Sequence, residues 1–330
     1  MNTYEDLKSL ADLDSVCLIT HIEPDPDALA SMIVLKNLIE KTFNIKRVDI
    51  FANNSGLKDN LKEILGETVL NPEPTSYSAS IMLDSPNAER LGTYKSLYEK
   101  SSLKIVIDHH ATNNYSGNIN IVEICSSTCE IVYNLAKYFD HNLSNEEKGK
   151  LYAGLITDTN NFTVGEISKN SFNMAADITQ NINREAIYKA FLANNTLKSM
   201  LLLSLAIQNL KSYDHNEIII THITREKVEH MGAEHMDMCG IVNQIATINN
   251  AKLICFIEPR ENCYYVSMRA KRDYDVSKIA RENGGGGHVG AAAFESSISL
   301  NEIEELILSE FRKQLKTIKP KPISLFKSNK

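Results

Sequence analysis

The chain has 330 residues, 43% of them apolar, and a formal net charge of −7. A single hydrophobic core stops growing at about 250–300 residues, so this length predicts two domains. The negative charge argues against long nucleic acid as the main partner, while short oligonucleotides and mononucleotides stay open. No apolar run approaches the ~20 residues of a membrane span, and residues 1–6 are acidic and polar, unlike a secretory signal. Six cysteines are scattered without metal-type pairing, so they read as reduced core residues of a cytoplasmic protein.

Residues 15–20 form a short apolar run, the pattern of a strand buried on both faces, and it ends at His21. Pro24 and Pro26 then break regular structure. Asp27 sits at a helix N-cap position, and 28–39 reads as a mostly apolar helix. Residues 47–52 make a strand that delivers no obvious chemistry. Residues 79–83 lead into Asp84, with Arg90 close behind, and 103–107 lead into Asp108-His109-His110. Ser126-Ser127-Thr128 caps a helix over 129–138, and such a cap can also bind phosphate. Residues 146–156 form a helix that runs into Thr157-Asp158-Thr159. Strands alternating with helices predict an α/β, doubly wound, mainly parallel sheet over residues 1–185. In such sheets ligands bind just outside the carboxyl ends of the strands.

Residues 186–213, with an apolar helix over 197–207, read as a helical connector. A new strand series fills 214–315, with strands over 217–221, 252–257 and 263–269 and a short helix over 275–280. Gly284-Gly285-Gly286-Gly287-His288 follows, the one glycine cluster of the chain. Residues 316–330 form a basic tail without an acid.

Several strand ends thus deliver carboxylate or imidazole. That donor set, without thiolate, suits Mn²⁺, Mg²⁺, Fe²⁺ or Zn²⁺, and its hard oxygens favour Mn²⁺ or Mg²⁺. The donors are too many for one catalytic ion and suit two ions sharing a carboxylate. Two ions roughly 3.5–4 Å apart can activate a water and stabilise a phosphoryl oxygen and the leaving group. Each residue alone reads as a cap, turn or core residue. The case rests on their joint placement along one sheet edge.

His21-x-x-x-Asp25-x-Asp27-x-x-x-Ser31, Asp84 with Arg90, Asp108-His109-His110 and Thr157-Asp158-Thr159 resemble, in that order, the four motifs of the DHH phosphoesterases. The glycine run with His288, followed by Ala291-Ala292-Ala293-Phe294 and preceded by Val266-Ser267-Met268-Arg269, resembles the DHH-associated nucleotide-binding domain. Length and domain order are similar to the NrnA-like branch. The resemblance implies a DHH domain and a smaller α/β DHH-associated domain with the active cleft between them. It also implies hydrolysis of very short RNA to 5′-mononucleotides and of 3′-phosphoadenosine 5′-phosphate (pAp) to AMP. By the same resemblance, His21, Asp25 and Asp84 hold one Mn²⁺. Asp27, Asp84, His109 and Asp158 hold a second, with Asp84 bridging, and Mg²⁺ is an acceptable substitute. His110 faces the substrate phosphate and Asp108 orients a histidine. Substrate contacts fall to Arg90, Ser127, Ser267, Arg269, Gly285, Gly286, Gly287 and His288.

Three departures bear on loop shape. Asn160-Asn161-Phe162 stands where the family more often has a glycine before the aromatic, and Ala30 and Ala293 replace glycines. The same site could take the linear dinucleotide pApA or cyclic di-AMP. A manganese pyrophosphatase would carry a lysine- and arginine-rich clamp in place of the glycine run, and a RecJ-type exonuclease would need more chain. A catalytically silent nucleotide-binding module predicts loss of a ligand, and every expected ligand is present. A homodimer is left open.

Overall fold

Apolar runs rich in β-branched residues become the strands of the first sheet. The computed structural model describes residues 3–53, 57, 59–73, 75–271 and 273–318, so the basic tail falls outside it beyond residue 318. The chain divides into two units, Met1–Asn194 and Asn195–Lys330. The break lies within the stretch expected to connect the domains.

In the first unit, β1 (Ser15–Ile19) leads to α1 (Pro26–Phe43), β2 (Arg47–Phe51), α2 (Asp59–Leu65), β3 (Ala79–Leu83), α3 (Lys95–Lys100), β4 (Leu103–Asp108) and β5 (Ile119–Val122). Four helices follow: α4 (Thr128–Tyr138), α5 (Asn145–Asp158), α6 (Lys169–Ile178) and α7 (Arg184–Phe191). The sheet order is β2-β1-β3-β4-β5, and every pairing is parallel. Successive side chains point to opposite faces. Val16, Leu18, Ile81, Leu83, Ile105 and Ile107 pack in one core with α1, α4 and α5. Cys17, Ile19, Met82 and Val106 pack in another with Ala88, Leu91 and Tyr98. Burial on both faces is why each strand reads as a continuous apolar run. The chain runs outward from β1 to β2 on one side and from β3 to β5 on the other. The switch point between β1 and β3 is therefore where His21 and Asp84 emerge.

Two expectations are corrected here. The N-cap of α1 is Asp25, not Asp27: Asp25 Oδ1 accepts from Ala28 N at 2.9 Å. Pro26 takes the first helical position, where its missing N–H costs nothing. Asp27 is thereby freed to point elsewhere. The cysteines are all free, as expected, but they are not all core residues, since Cys239 is exposed.

In the second unit, α8 (Leu197–Gln208), β6 (Lys211–Tyr213), β7 (Ile218–His222), α9 (Arg225–His230), α10 (His235–Met238) and α11 (Ile241–Ile245) come first. β8 (Leu253–Pro259), β9 (Tyr264–Ala270), α12 (Ser277–Glu282), β10 (Gly286–His288), β11 (Ala291–Ser296) and α13 (Leu300–Thr317) complete it. Its six-stranded sheet has the order β10-β11-β9-β8-β7-β6, with β7 and β8 parallel and the other pairs antiparallel. Ile218, Ile220, Val266, Met268 and Phe294 pack with Ile303, Ile307 and Phe311 of α13. Ile219, Ile254 and Phe256 pack with residues of α8 and α11 on the opposite face. The second half of the glycine run, Gly286–His288, forms the edge strand β10. Among the described residues, no helix is long and apolar enough to cross a membrane.

A tight approach between elements of the first unit lies at Gly154 on α5. A Cβ there would sit 2.4 Å from Cys129 Sγ and 3.0 Å from Asp27 Oδ1. Ala for Gly in a helix ordinarily gains about 1 kcal/mol. Overpacking costs about 1–3 kcal/mol, so Gly154→Ala is expected to lower the urea midpoint with an unchanged slope. A midpoint above that of the parent would refute this packing.

Candidate metal centre

The site is assembled at the carboxyl end of the first sheet. β1 delivers His21, the turn into α1 delivers Asp25 and Asp27, and β3 delivers Asp84. β4 ends on Asp108 with His109 and His110 beyond it, and α5 ends on Asp158. Their donor atoms fall into three groups, each within 4.8 Å: His21, Asp25 and Asp84; Asp84, His109 and His110; Asp27, His109 and Asp158. Asp84 and His109 are each shared by two groups. Asp84 is 3% exposed, and its φ of 51° is an unusual backbone conformation for a non-glycine residue, typical of a functional position.

The spacings suit cations better than hydrogen bonds. Asp84 Oδ1 lies 3.5 Å from His109 Nε2 and 3.8 Å from His110 Nδ1, and Asp84 Oδ2 lies 3.7 Å from His21 Nε2. His109 Nε2 lies 3.5 Å from Asp158 Oδ2. Direct hydrogen bonds would be about 2.7–3.2 Å. Ligands at about 2.0–2.2 Å from a common ion and at right or tetrahedral angles stand roughly 2.8–3.6 Å apart. The Nδ1 atom of His21 is buried without a hydrogen-bond partner among the described residues. His109 Nδ1 lies 3.3 Å from the Cys125 carbonyl, and donation to that oxygen leaves Nε2 free to ligate. The residues therefore fit divalent cations.

Charge makes the same point. Burial, then repulsion from neighbouring carboxylates, raises Asp25 and Asp27, and burial pushes Asp158 up to about 7. Asp84 is held far below the ordinary range despite its burial, because His21, His109 and His110 surround it. Burial opposes protonation of the three imidazoles, but the carboxylates outweigh it and raise all three. Without cations, the cluster stores protons in place of metal charge.

Side chains that carry no obvious motif hold this arrangement. Asp27 accepts from the first two amides of α4, Thr128 N at 2.8 Å and Cys129 N at 2.9 Å. The positive end of that helix thus faces the carboxylates. Thr128 Oγ1 donates to Asp84 Oδ1 at 3.0 Å. Asn113 Nδ2 donates to Asp108 Oδ2 at 2.6 Å and to the Ser85 carbonyl at 3.2 Å. Asp108, fully buried, accepts from His110 Nδ1 at 2.7 Å. Asn113 escapes a sequence reading because it lies in a loop with no pattern of its own, and Thr128, legible as part of a helix cap, gives no sign that it will meet Asp84.

The candidate substrate residues divide. Arg90 is exposed in a short 3-10 helix, near enough for its charge to act on His21. Ser127 is fully buried, and its hydroxyl accepts from Glu130 N as the α4 cap. In the second unit, Ser267 Oγ donates to the Phe256 carbonyl at 3.3 Å within the sheet. Arg269 Nε donates to Asn243 Oδ1 at 2.7 Å. Gly285 and Gly287 are needed by the chain's own packing, because a Cβ at either would strike β11 at 2.1 or 2.5 Å. Of these three, only Gly286 faces open space. His288 is described by its backbone, which pairs with Ala291, itself opposite Arg269. After Asp158, residues Asn160, Asn161 and Phe162 all have positive φ, where glycine is expected by resemblance. Asparagine tolerates that region and phenylalanine does not. Phe162 stacks on Phe172 with centroids 5.2 Å apart.

Residues 15–157 match the model of the DHH family, N-terminal domain, and residues 215–317 match the DHHA1 domain. The chain belongs to the DHH family. A relative from Mycoplasma genitalium, named bifunctional oligoribonuclease and PAP phosphatase NrnA, is 26% identical over 87% of this chain and 90% of its own. Among solved structures, an exopolyphosphatase-related protein from Bacteroides fragilis matches with a TM-score of 0.87, at 21% identity over 95% of this chain and 96% of that one. An exonuclease RecJ bound to manganese matches at 0.53 and 12% identity, over 94% and 95%. Both likenesses support the two-unit DHH fold.

Raised carboxylates and imidazoles bind protons in the folded chain that the unfolded chain has lost, so folded stability falls as pH rises through those pKa values. Chelated protein is therefore expected to lose thermal stability from pH 5.5 to 8. Cations compete with those protons, so the Tm gain on adding Mn²⁺ should grow across the same range. Scanning calorimetry with and without chelator checks both. A Tm gain independent of pH would count against metal binding at these residues.

Proposed function

We propose that this chain is a metal-dependent phosphoesterase that hydrolyses short oligoribonucleotides to 5′-mononucleotides and pAp to AMP. The observation that carries it is the convergence of His21, Asp25, Asp27, Asp84, His109 and Asp158 around shared donors at the switch point of a parallel sheet. The NrnA name belongs to relatives near one-quarter identity, and it points the substrate class toward short RNA and pAp. We assign one ion to His21, Asp25 and Asp84 and the other to Asp27, Asp84, His109 and Asp158. Mn²⁺ is the expected ion at both. When bound, two such cations supply Lewis acidity and a water of lowered pKa.

The chain's own groups do the rest. Asp108, held by Asn113, fixes the proton of His110 on Nδ1 and orients the ring. Although burial opposes it, the hydrogen bond from His110 to Asp108 and the nearby carboxylates raise this imidazole. It is therefore suited to stabilise a phosphoryl oxygen or to protonate a leaving oxygen. Thr128 and the α4 amides fix Asp84 and Asp27, so the donors are positioned before any ion arrives. We assign nucleotide recognition to the second unit, where Arg269 and His288 share one row across β9, β11 and β10. Two strand spacings separate them, about 9–10 Å, with the small Ala291 between. A fork from Arg269 would grip a phosphate there.

The deciding measurement is turnover of pAp, pApA, cyclic di-AMP, short RNA and long single-stranded DNA, each with Mn²⁺ and with chelator. Short RNA and pAp should turn over fastest and only with metal. Equal rates on long DNA would sink the short-substrate assignment. His110→Ala should keep Mn²⁺ affinity and lose about 10²–10⁴-fold in kcat, whereas His109→Ala should weaken metal roughly tenfold or more. The reverse pattern would overturn these roles. Asn113→Ala should lower kcat by about 10- to 100-fold with KM little changed, since it only loosens the Asp108–His110 pair.

A further inference from the structure

A second line of chemically linked groups lies in the second unit, away from the metal donors in the sequence. His235 opens α10, and Cys239 stands one turn further on. His235 Nε2 is 3.6 Å from Cys239 Sγ, and His235 Nδ1 is 2.5 Å from Glu258 Oε1. The Glu258 side chain is 3% exposed, and its Oε1 also meets Arg260 Nε at 2.9 Å. The His235 ring stands edge-on to Tyr265 at 5.5 Å, and Arg260 lies over that same ring at 4.9 Å. The imidazole is thus fixed on its carboxylate side and faces the sulfur on the other. Cys239 is exposed, whereas Cys17, Cys129 and Cys255 are buried.

Thiol, imidazole and carboxylate in line is the arrangement that activates a sulfur nucleophile. The hydrogen bonds to Cys239 and Glu258 outweigh burial and push His235 up to about 9. At neutral pH the ring then donates from both nitrogens, toward Glu258 and toward the sulfur. Nothing in the phosphoesterase reading uses this trio.

We propose that Cys239 is a reactive thiol that exchanges with low-molecular-weight disulfides, and that its modification weakens substrate binding. In the exchange, Cys239 gives its proton to water, the doubly protonated His235 steadies the resulting thiolate, and that sulfur attacks one sulfur of R–S–S–R. The R–S–S–R bond breaks, a Cys239–S–S–R bond forms, and the departing thiolate takes a proton from water as RSH. Cys239 is oxidised and the departing half is reduced. The consequence for substrate runs through Gly240, whose φ is 92°, into α11. There Asn243 holds Arg269 Nε at 2.7 Å. On this proposal, a group tethered at Cys239, directly before Gly240 and the start of α11, shifts that helix and loosens the hold of Asn243 on Arg269. This second half rests on the assignment of Arg269 to substrate.

The test uses full-length, Mn²⁺-loaded protein and excess 2-hydroxyethyl disulfide, with peptide mass spectrometry following each cysteine. Cys239 should be modified first. His235→Gln should slow it about tenfold or more, with the partly exposed Cys263 as an unchanged internal reference. Equal Cys239 rates in parent and variant, or Cys263 reacting as fast as Cys239, overturn the reactive-thiol assignment. Full modification should raise KM for a dinucleotide several-fold with kcat little changed. Dithiothreitol should reverse the effect and Cys239→Ser should abolish it. An unchanged KM on fully modified protein overturns the link to Arg269. An unchanged KM in Arg269→Ala would instead sink the substrate reading of Arg269, so the two failures are distinct.

Discussion

Four carboxylates of one small cluster, on Asp25, Asp27, Asp84 and Asp158, repel one another in a largely buried space, and the first unit is arranged around that repulsion. Burying an unpaired charge is costly, and burying several together is worse. The chain offsets this with three imidazoles, with the amides at the start of α4, and with hydroxyl and amide donors from Thr128 and Asn113. Divalent cations, which these donors fit, would complete the balance. A scaffold that tolerates such a cluster must hold it rigidly, and the parallel sheet with cores on both faces does so.

The same constraint explains the local backbone. Asp84 departs from extended geometry at the end of β3, and Asn160 to Phe162 follow Asp158 through three successive left-handed residues. Gly154 has no room for a side chain, because α5 presses against Asp27 and Cys129. Each of these features sits beside a donor. At these positions the unusual backbone and the close contact help aim a donor side chain in one direction.

The second unit follows a different logic. Its sheet is mixed, and its glycines serve mainly to let β10 lie against β11. Gly284 and Gly286 face open space, and Arg269, Ala291 and His288 share one row of the sheet, the row proposed to meet a nucleotide. Arg269 is itself held by Asn243, close in sequence to the thiol of Cys239. The proposed recognition and the proposed thiol chemistry therefore meet at the start of α11.

Much of the first unit is legible in the sequence. Strands buried on both faces appear as apolar runs, and the residues just past their ends name the chemistry by their joint placement, since each alone also reads as a cap, turn or core residue. Short elements such as β5 are too brief to leave a pattern, and the α1 cap was misplaced because Pro26 can be a first helical residue as well as a breaker. The motif residues and the alternation of strand and helix were determined by the sequence alone. Tertiary structure decided which groups position them. Asp27 meets the α4 amides 101 and 102 residues away, and Thr128 meets Asp84 across 44. Those partners are chosen by packing between distant segments, and a polar side chain in a loop carries no local mark of the neighbour it will meet.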